Sequence, residues 1–264
     1  MMQLAVAGFG KIGSAITRGA LTAGVVQKHQ VVVWARSKER QAEAQSFGLA
    51  LAPWPDVLRL APNILLALKP QALADMTATH HPIAKDATVI SVIAGWTCSA
   101  LAQRLGVQRV IRAMPSVGAS VRASTTAIAT TDADATFATQ LFSAVGPVVH
   151  VPEALIDAAT AITSSGVAYA CLFIESLQNA AEEMGVSKEA ARLLALGAAD
   201  AAVACLRAGD ISAAALRNSV TSPAGTTAAA LRVLTDGGFE SLIRNAAMAA
   251  RDRAAELAHV DRSN

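Results

Sequence analysis

The sequence predicts an α/β protein, a Rossmann-type doubly wound sheet of parallel strands followed by an all-helical C-terminal domain, and three observations carry that prediction. In the first half, short apolar runs alternate with longer amphipathic stretches, the pattern of parallel strands joined by helical crossovers. A glycine-rich turn, Gly8-Phe9-Gly10-Lys11-Ile12-Gly13, follows the first run and opens a helix. Past Pro147 the strand pattern stops, and from Pro152 onward Ala, Leu, Glu and Arg recur with helical periodicity,. The domains are therefore expected at 1–151 and 152–264.

The expected strands are Leu4–Ala7, Val31–Trp34, Ile64–Leu68, Val89–Ile93, Val110–Ala113 and Thr126–Ala129, all short enough for a buried parallel sheet,. The first helix runs from the glycine turn to about Ala23. In the second half Leu172, Ile174, Leu177, Ala181 and Met184 recur with helical periodicity,. Gly185 ends that helix, Ser187 with Lys188-Glu189 opens the next, Gly209-Asp210 breaks it, and Gly237-Gly238 precedes the last,. Four or five helices are expected there. Pro223 is placed in the first turn of a helix that continues through Leu234,.

Composition narrows the function. The chain of 264 residues has 22 Lys plus Arg against 20 Asp plus Glu, a net charge of +2, which argues against a nucleic-acid partner. It is 53% hydrophobic and only 16% charged, well outside the disordered class. The mean hydropathy is +0.41, yet charged residues, Pro or Gly interrupt the apolar runs before the roughly 18 to 20 residues needed to span a bilayer, so no membrane partner is expected. The surplus apolar surface points instead to a subunit interface, above all along the Ala-rich, charge-poor run Leu193–Leu206. No basic segment precedes the apolar start, so no export signal is expected and the cytoplasm is the expected location. Cys98, Cys171 and Cys205 are odd in number and widely spaced, as expected of buried free thiols in a reducing compartment. The histidines lack metal-ligand spacing, the doublet His80-His81 reads as a loop, and no metal site is expected,.

The glycine turn carries the first chemical inference. In a GxGxxG between strand and helix, Gly8 allows the tight turn, Gly10 admits a pyrophosphate close to the backbone, and Gly13 lets helix and strand pack. The helix N-terminus supplies free N–H groups to the phosphates. This is a Rossmann-type dinucleotide site, with Phe9, Lys11 and Ile12 also in contact with the cofactor. The end of the second strand selects which dinucleotide. An acidic residue there would accept from a ribose 2′-hydroxyl, but Arg36, Ser37 and Lys38 occupy the turn and no carboxylate appears before Glu39. That favours the 2′-phosphate of NADPH, with NADH a weaker possibility; an ordinary basic surface loop is the alternative. Leu68, Lys69 and Pro70 follow a strand end, where ligands of such sheets bind, although Pro70 also serves as a turn and helix-opening residue.

In the helical half, Ser219, Thr221, Ser222, Thr226 and Thr227 surround Pro223-Ala224-Gly225. Hydroxyls and free amides at a helix start suit a small substrate bearing a carboxylate and a nitrogen. The same residues would serve equally as helix caps.

At this segment the chain resembles pyrroline-5-carboxylate reductases, whose signature runs approximately Val-Thr-Ser-Pro-Gly-Gly-Thr-Thr. The resemblance extends over nearly the whole chain: Gly8–Gly13, Arg36-Ser37, Leu68-Lys69-Pro70-Gln71, Ile90-Ser91-Val92-Ile93-Ala94-Gly95, Arg112-Ala113-Met114-Pro115, Ser165-Gly166-Val167-Ala168-Tyr169 and Asp236-Gly237-Gly238-Phe239 occur in the family's order. It implies NADPH-dependent reduction of the cyclic imine Δ1-pyrroline-5-carboxylate to L-proline, in proline biosynthesis. It also implies a substrate loop of Val220, Ser222, Gly225, Thr226 and Thr227, in which the amides of the last three hold the carboxylate and the Thr227 hydroxyl meets the ring nitrogen. Lys69, Ala94, Gly95, Met114 and Pro115 would position the cofactor. An interleaved homodimer or higher oligomer is implied, the loop of one subunit completing a site beside the other's nicotinamide. The departures are Ser116-Val117-Gly118 where the family has Asn-Thr-Pro, Val167 for Pro, Ala224 for Gly, Ser219 for an amide, and no Asn around Pro53-Trp54-Pro55. They leave open a different cyclic imine, or a non-catalytic NADPH-binding paralogue. A β-hydroxyacid dehydrogenase is disfavoured because no Lys lies between Gly166 and Val186 to act as its base.

Overall fold

In a computed structural model, which describes residues 1–76, 83–84, 86–130 and 133–260, the chain divides into two compact units, Met1–Ser165 with Met248–Asn264 and, separately, Gly166–Ala247. The His80-His81 doublet lies outside the described residues.

The first unit is built on strands β1 (Leu4–Ala7), β2 (Val31–Trp34), β3 (Ala50–Leu51), β4 (Asn63–Leu66), β5 (Thr88–Ser91), β6 (Arg109–Met114), β7 (Thr126–Thr130) and β8 (Val148–His150). They form one sheet in the order β3-β2-β1-β4-β5-β6-β7-β8. The order reverses direction at β1, and that reversal opens the crevice in which such sheets bind ligands. β1 to β6 run parallel, so that Ala7 lies beside both Trp34 and Leu66, Leu66 beside Ser91, and Ser91 beside Arg112.

The period-2 alternation of a strand puts Leu4 and Val6 on one face, with Ile16 and Ala20 of α1 (Lys11–Thr22) and Leu141 and Phe142 of α5 (Thr136–Ser143),. Ala5 and Ala7 face the other side, with Leu73 of α3 (Pro70–Met76) and Leu101 and Leu105 of α4 (Cys98–Leu105). Burying each Leu, Ile or Phe contributes about 1.5–3 kcal/mol, and both faces of the sheet are covered. α2 (Lys38–Ser46) completes the layer on the α1 side through Ala44.

Three expectations about the sheet need correction. β7 pairs antiparallel to β6; the link between them holds only the 3-10 turn Val117–Val121, and a parallel return needs a crossover of a dozen residues or more. β3 and β8 were not anticipated, because β3 has two residues and β8 carries the exposed Val149 and His150 at an edge. The apolar runs expected to continue to Leu68 and Ile93 leave the strands at Leu66 and Ser91, and their last residues begin the loops.

α6 (Ile156–Thr163) packs on β6 and β7 in the first unit. The second unit contains α7 (Gly166–Glu183), α8 (Lys188–Ala208), α9 (Ala213–Ser219) and α10 (Thr226–Asp236); α11 (Phe239–Val260) follows. From residue 152 onward there are thus six α-helices among the described residues, more than the four or five expected, with turns at Ser164-Ser165 and Val220–Gly225 separating α6 from α7 and α9 from α10. The expected stops hold: Gly185 has φ +90°, the Ser187 hydroxyl accepts from the Ala190 N–H, and Gly238 has φ +74°.

α7 and α8 pack together, and Phe173 meets Phe239 at 6.5 Å. Much of their apolar surface is nevertheless open. Leu172 is 64% exposed, Met184 78% and Leu194 61%. Cys171 and Cys205 lie on this open surface, and only Cys98 is buried; an Ala-rich context does not bury a thiol on a helix face that this chain leaves uncovered. One stretch, Glu153–Glu183, contains an 18-residue window of mean hydropathy 1.3 and by length and composition is apolar enough to cross a membrane. The expectation of interrupted runs did not anticipate it, because its few charges do not outweigh its Ala, Ile and Leu.

Candidate active site

The glycine turn shows three different needs. Gly8 has φ +109°, and a Cβ there would lie 2.4 Å from the Ala67 carbonyl oxygen. A Cβ on Gly13 would lie 2.0 Å from the Gly8 oxygen, whereas a Cβ on Gly10 would meet nothing within 4 Å. The first and third glycines are thus required by close packing, and the second borders open space. α1 starts from Gly10 with no side-chain cap and no acidic residue in its first turn. Its ladder begins with Ser14 N–H donating to the Gly10 oxygen at 2.9 Å, so the N-terminal amides and the helix dipole face outward to an anion. A dinucleotide pyrophosphate fits this turn.

Arg36, Ser37 and Lys38 are exposed on the turn after β2. Ser37 caps α2, its oxygen accepting from the Arg40 N–H at 3.3 Å, which leaves its hydroxyl hydrogen to donate elsewhere. Nearby, Lys11, Arg18, Arg40 and Arg122 line a groove of about 600 Å³ along α1. Arg40 is paired with Glu43, and the Arg18 guanidinium sits 5.0 Å over the Phe47 ring. On the other side of the β2 end, the Trp34 and Trp54 rings lie with centroids 5.5 Å apart, tilted by 58°, and frame a cleft of about 420 Å³ with Ala35 and Pro53. Neither the aromatic cleft nor Arg18, Arg40 and Arg122 were singled out in the sequence. Trp34, one residue before Ala35-Arg36 at a strand end, was the available signal.

Leu68, Lys69 and Pro70 follow β4, Pro70 being the first residue of α3, and Lys69 is exposed. Ala94 and Gly95, the latter with φ +83°, follow β5; Met114 ends β6 and Pro115 follows it, both buried. Because β1, β2, β4, β5 and β6 are parallel, every expected cofactor segment lies at the carboxyl edge of the sheet. Ala94 and Met114 pack with Ile156 and Ala159 of α6.

Beneath these loops lies a charged cluster that the sequence did not reveal. Arg112 is only 5% exposed; its guanidinium is 3.3 Å from Glu153 Oε1 and 3.6 Å from Asp157 Oδ1. The same Glu153 oxygen accepts from the Cys98 N–H at 2.6 Å, at the start of α4. Burial first, and then the Glu153 charge, push the Cys98 thiol up to about 12, so it is a neutral core group. Ser164 donates its hydroxyl to the Pro115 carbonyl at 2.9 Å. The i, i+4 spacing of Glu153 and Asp157 was the signal in the sequence, but their partner is 41 residues before Glu153.

In the second unit the hydroxyl-rich segment forms the turn between α9 and α10. Pro223 precedes α10 and does not lie in its first turn, which corrects the expectation; Ala224 at φ +57° reverses the chain, and the helix starts only at Thr226. The Gly225 N–H is used inside the turn, donating to the Ser222 oxygen at 3.1 Å, and a Cβ on Gly225 would lie 2.3 Å from Ser222 Oγ. α10 has no side-chain cap and no acid in its first turn, and its ladder begins with Ala229 N–H to the Gly225 oxygen. The open amides are therefore those of Thr226, Thr227 and Ala228. Thr221 and Ser219 donate their hydroxyls to the Arg217 and Leu216 carbonyls of α9 and do not cap α10, whose N-cap Gly225 has no side-chain bond. Thr227 is half-buried, and Val220 is 60% exposed.

Residues 153–257 match the family model for pyrroline-5-carboxylate reductase dimerisation, and residues 3–95 match that of an NADP oxidoreductase, coenzyme F420-dependent. The pyrroline-5-carboxylate reductase of Mycobacterium tuberculosis is 34% identical over 97% of this chain and 97% of its own length. The chain belongs to the pyrroline-5-carboxylate reductase family. The solved pyrroline-5-carboxylate reductase of Coxiella burnetii superposes with a TM-score of 0.87 at 30% identity, covering 97% of this chain and 98% of that one. A pyrroline carboxylate reductase of Plasmodium falciparum, solved with NADP bound, gives 0.86 at 25% identity over the same shares. Family membership accounts for the uncovered helices, since the matched C-terminal module is a dimerisation module.

Proposed function

We propose that this protein reduces Δ1-pyrroline-5-carboxylate to L-proline with NADPH, the reaction of its family. The observation that carries this reading is the pairing, in one chain related to these reductases along its length, of an uncapped GxGxxG helix start with the uncapped start of α10. NADPH supplies the hydride when bound. In this reading residues 1–151 form the cofactor domain and residues 152–264 the helical domain. The amides of Lys11, Ile12 and Gly13 hold the pyrophosphate, Arg36, Ser37 and Lys38 the 2′-phosphate, and the Trp34–Trp54 cleft the adenine. Phe9, Leu68, Lys69, Pro70, Ala94, Gly95, Met114 and Pro115 line the rest of the cofactor.

The open amides of Thr226, Thr227 and Ala228, with the helix dipole behind them, hold the substrate carboxylate. The Thr227 hydroxyl meets the ring nitrogen, and Val220 and Ser222 flank the loop. Catalysis then rests on proximity and orientation, and no side chain of the loop need act as an obligatory acid. The working form is an interleaved homodimer in the cytoplasm.

Steady-state NADPH oxidation with pyrroline-5-carboxylate tests the reaction; turnover confined to another imine would favour the second reading, a reductase of a different cyclic imine, for which Ala224 at φ +57° in the loop is the motive. Arg36→Ala tests the cofactor: it should raise KM for NADPH by the equivalent of about 1–3 kcal/mol and leave NADH kinetics nearly unchanged. Equal losses with both would move Arg36 away from the 2′-phosphate.

A further inference from the structure

We infer that Glu153 is a positioning residue that sets the geometry of the nicotinamide end of the cofactor site, an inference that rests on the cofactor reading above. One carboxylate oxygen serves two elements: it accepts from the Cys98 N–H at 2.6 Å and lies 3.3 Å from the Arg112 guanidinium. Cys98 begins α4, three residues after Gly95, and Arg112 precedes Met114-Pro115 by two. These loops end β5 and β6, across β1 from the β2 turn assigned to the 2′-phosphate, so in this reading they face the nicotinamide end of the cofactor, and both are anchored on the same atom.

The anchor is rigid for physical reasons. Arg112 is 5% exposed and held from its other side by Asp157 at 3.6 Å. A charge so buried stays only where its partners are fixed. Glu153 also supplies negative charge at the positive end of α4. The segment that carries it continues into α6, whose Ile156 and Ala159 pack against Ala94 and Met114, and Ser164 beyond it donates to the Pro115 carbonyl. Residues 153–164 therefore form a brace along the two loops, and Glu153 is the part of it that bonds both sides. Removing the charge while keeping an acceptor, as in Glu153→Gln, preserves the Cys98 bond and loosens the Arg112 side, so the loops shift relative to each other without loss of the core.

The test compares wild type with Glu153→Gln and Glu153→Asp, using two ligands: NADPH, and 2′-phospho-ADP-ribose, which has the same phosphates and adenine but no nicotinamide. Glu153→Gln should weaken NADPH about fivefold and leave the fragment unchanged. It should also lower kcat about tenfold and raise the primary isotope effect from 4-deuterated NADPH, since small misplacements at the reacting atoms cost this much. Glu153→Asp, which keeps the charge, should fall between. If both ligands weaken together, or if only the melting temperature falls while the ligand ratio and isotope effect stay put, Glu153 is merely structural and the inference is overturned. A wild type that fails to turn over pyrroline-5-carboxylate would sink the proposed reaction, while the ligand ratio would still decide the role of Glu153.

Discussion

Thr227 and Ala224 stand on the same turn and predict opposite consequences. Thr227 is half-buried beside open amides; if its hydroxyl meets the substrate nitrogen, Thr227→Ala should lower kcat/KM for the imine by the equivalent of about 1–3 kcal/mol, the range of one lost hydrogen bond. NADPH affinity should be unaltered. A lowered melting temperature with unchanged kcat/KM would instead make it a helix-start residue. Ala224 holds φ +57°, a region in which a Cβ costs roughly 1–2 kcal/mol. Ala224→Gly should therefore raise the melting temperature by about 2–4 °C, measured by thermal unfolding, and no rise would mean that the turn is held by other contacts. The motif itself was legible as residues, but the strain was not. Nothing in Pro-Ala-Gly-Thr says that the alanine takes the left-handed conformation, because the glycine beside it was the natural candidate; the structure gives Gly225 φ −76° and reserves its missing Cβ for the close approach of Ser222.

At the scale of elements, the start of α1 separates packing from binding. A Cβ on Gly10 meets nothing within 4 Å, and its φ of −77° is open to any residue. Gly10→Ala should thus leave the unliganded melting temperature unchanged and weaken NADPH binding more than tenfold, as the methyl takes the pyrophosphate's place. Gly13→Ala, with its Cβ 2.0 Å from the Gly8 oxygen, should lower the melting temperature itself. If Gly10→Ala binds NADPH normally, the phosphates do not cross this turn. Elements defined by local chemistry were the readable ones: α1, the Ser187 cap of α8 and the stop at Gly185 follow from residues within one turn of each other. The antiparallel sense of β7 was not, since it depends on the link before it being too short for a crossover helix,.

For the whole molecule, the decisive fact is apolar surface without cover. Leu194 on α8 is 61% exposed, and neighbouring Leu193 60%, within the matched dimerisation module. A charge placed in the core of such an interface removes the burial that drives association. Leu194→Glu should yield a monomer by light scattering with the helical circular dichroism retained, because the sheet core of the first unit does not include this residue. A variant that remains dimeric would place the interface on another face.

By itself the sequence determined the six longer strands, the change to helices after them, the glycine turn, the basic residues after β2 and the hydroxyl turn before α10, because each is written in residues a few positions apart. Only the tertiary structure decided which segments meet. The Arg112–Glu153–Cys98 anchor joins residues 41 and 55 positions apart, and the Trp34–Trp54 cleft joins the last residue of β2 to the segment after the neighbouring β3. The exposure of Cys171 and Cys205, read in the sequence as core thiols, was decided there too. An apolar stripe specifies that a helix face will be covered, but whether the cover is its own chain or a second copy depends on how much surface the first fold leaves free.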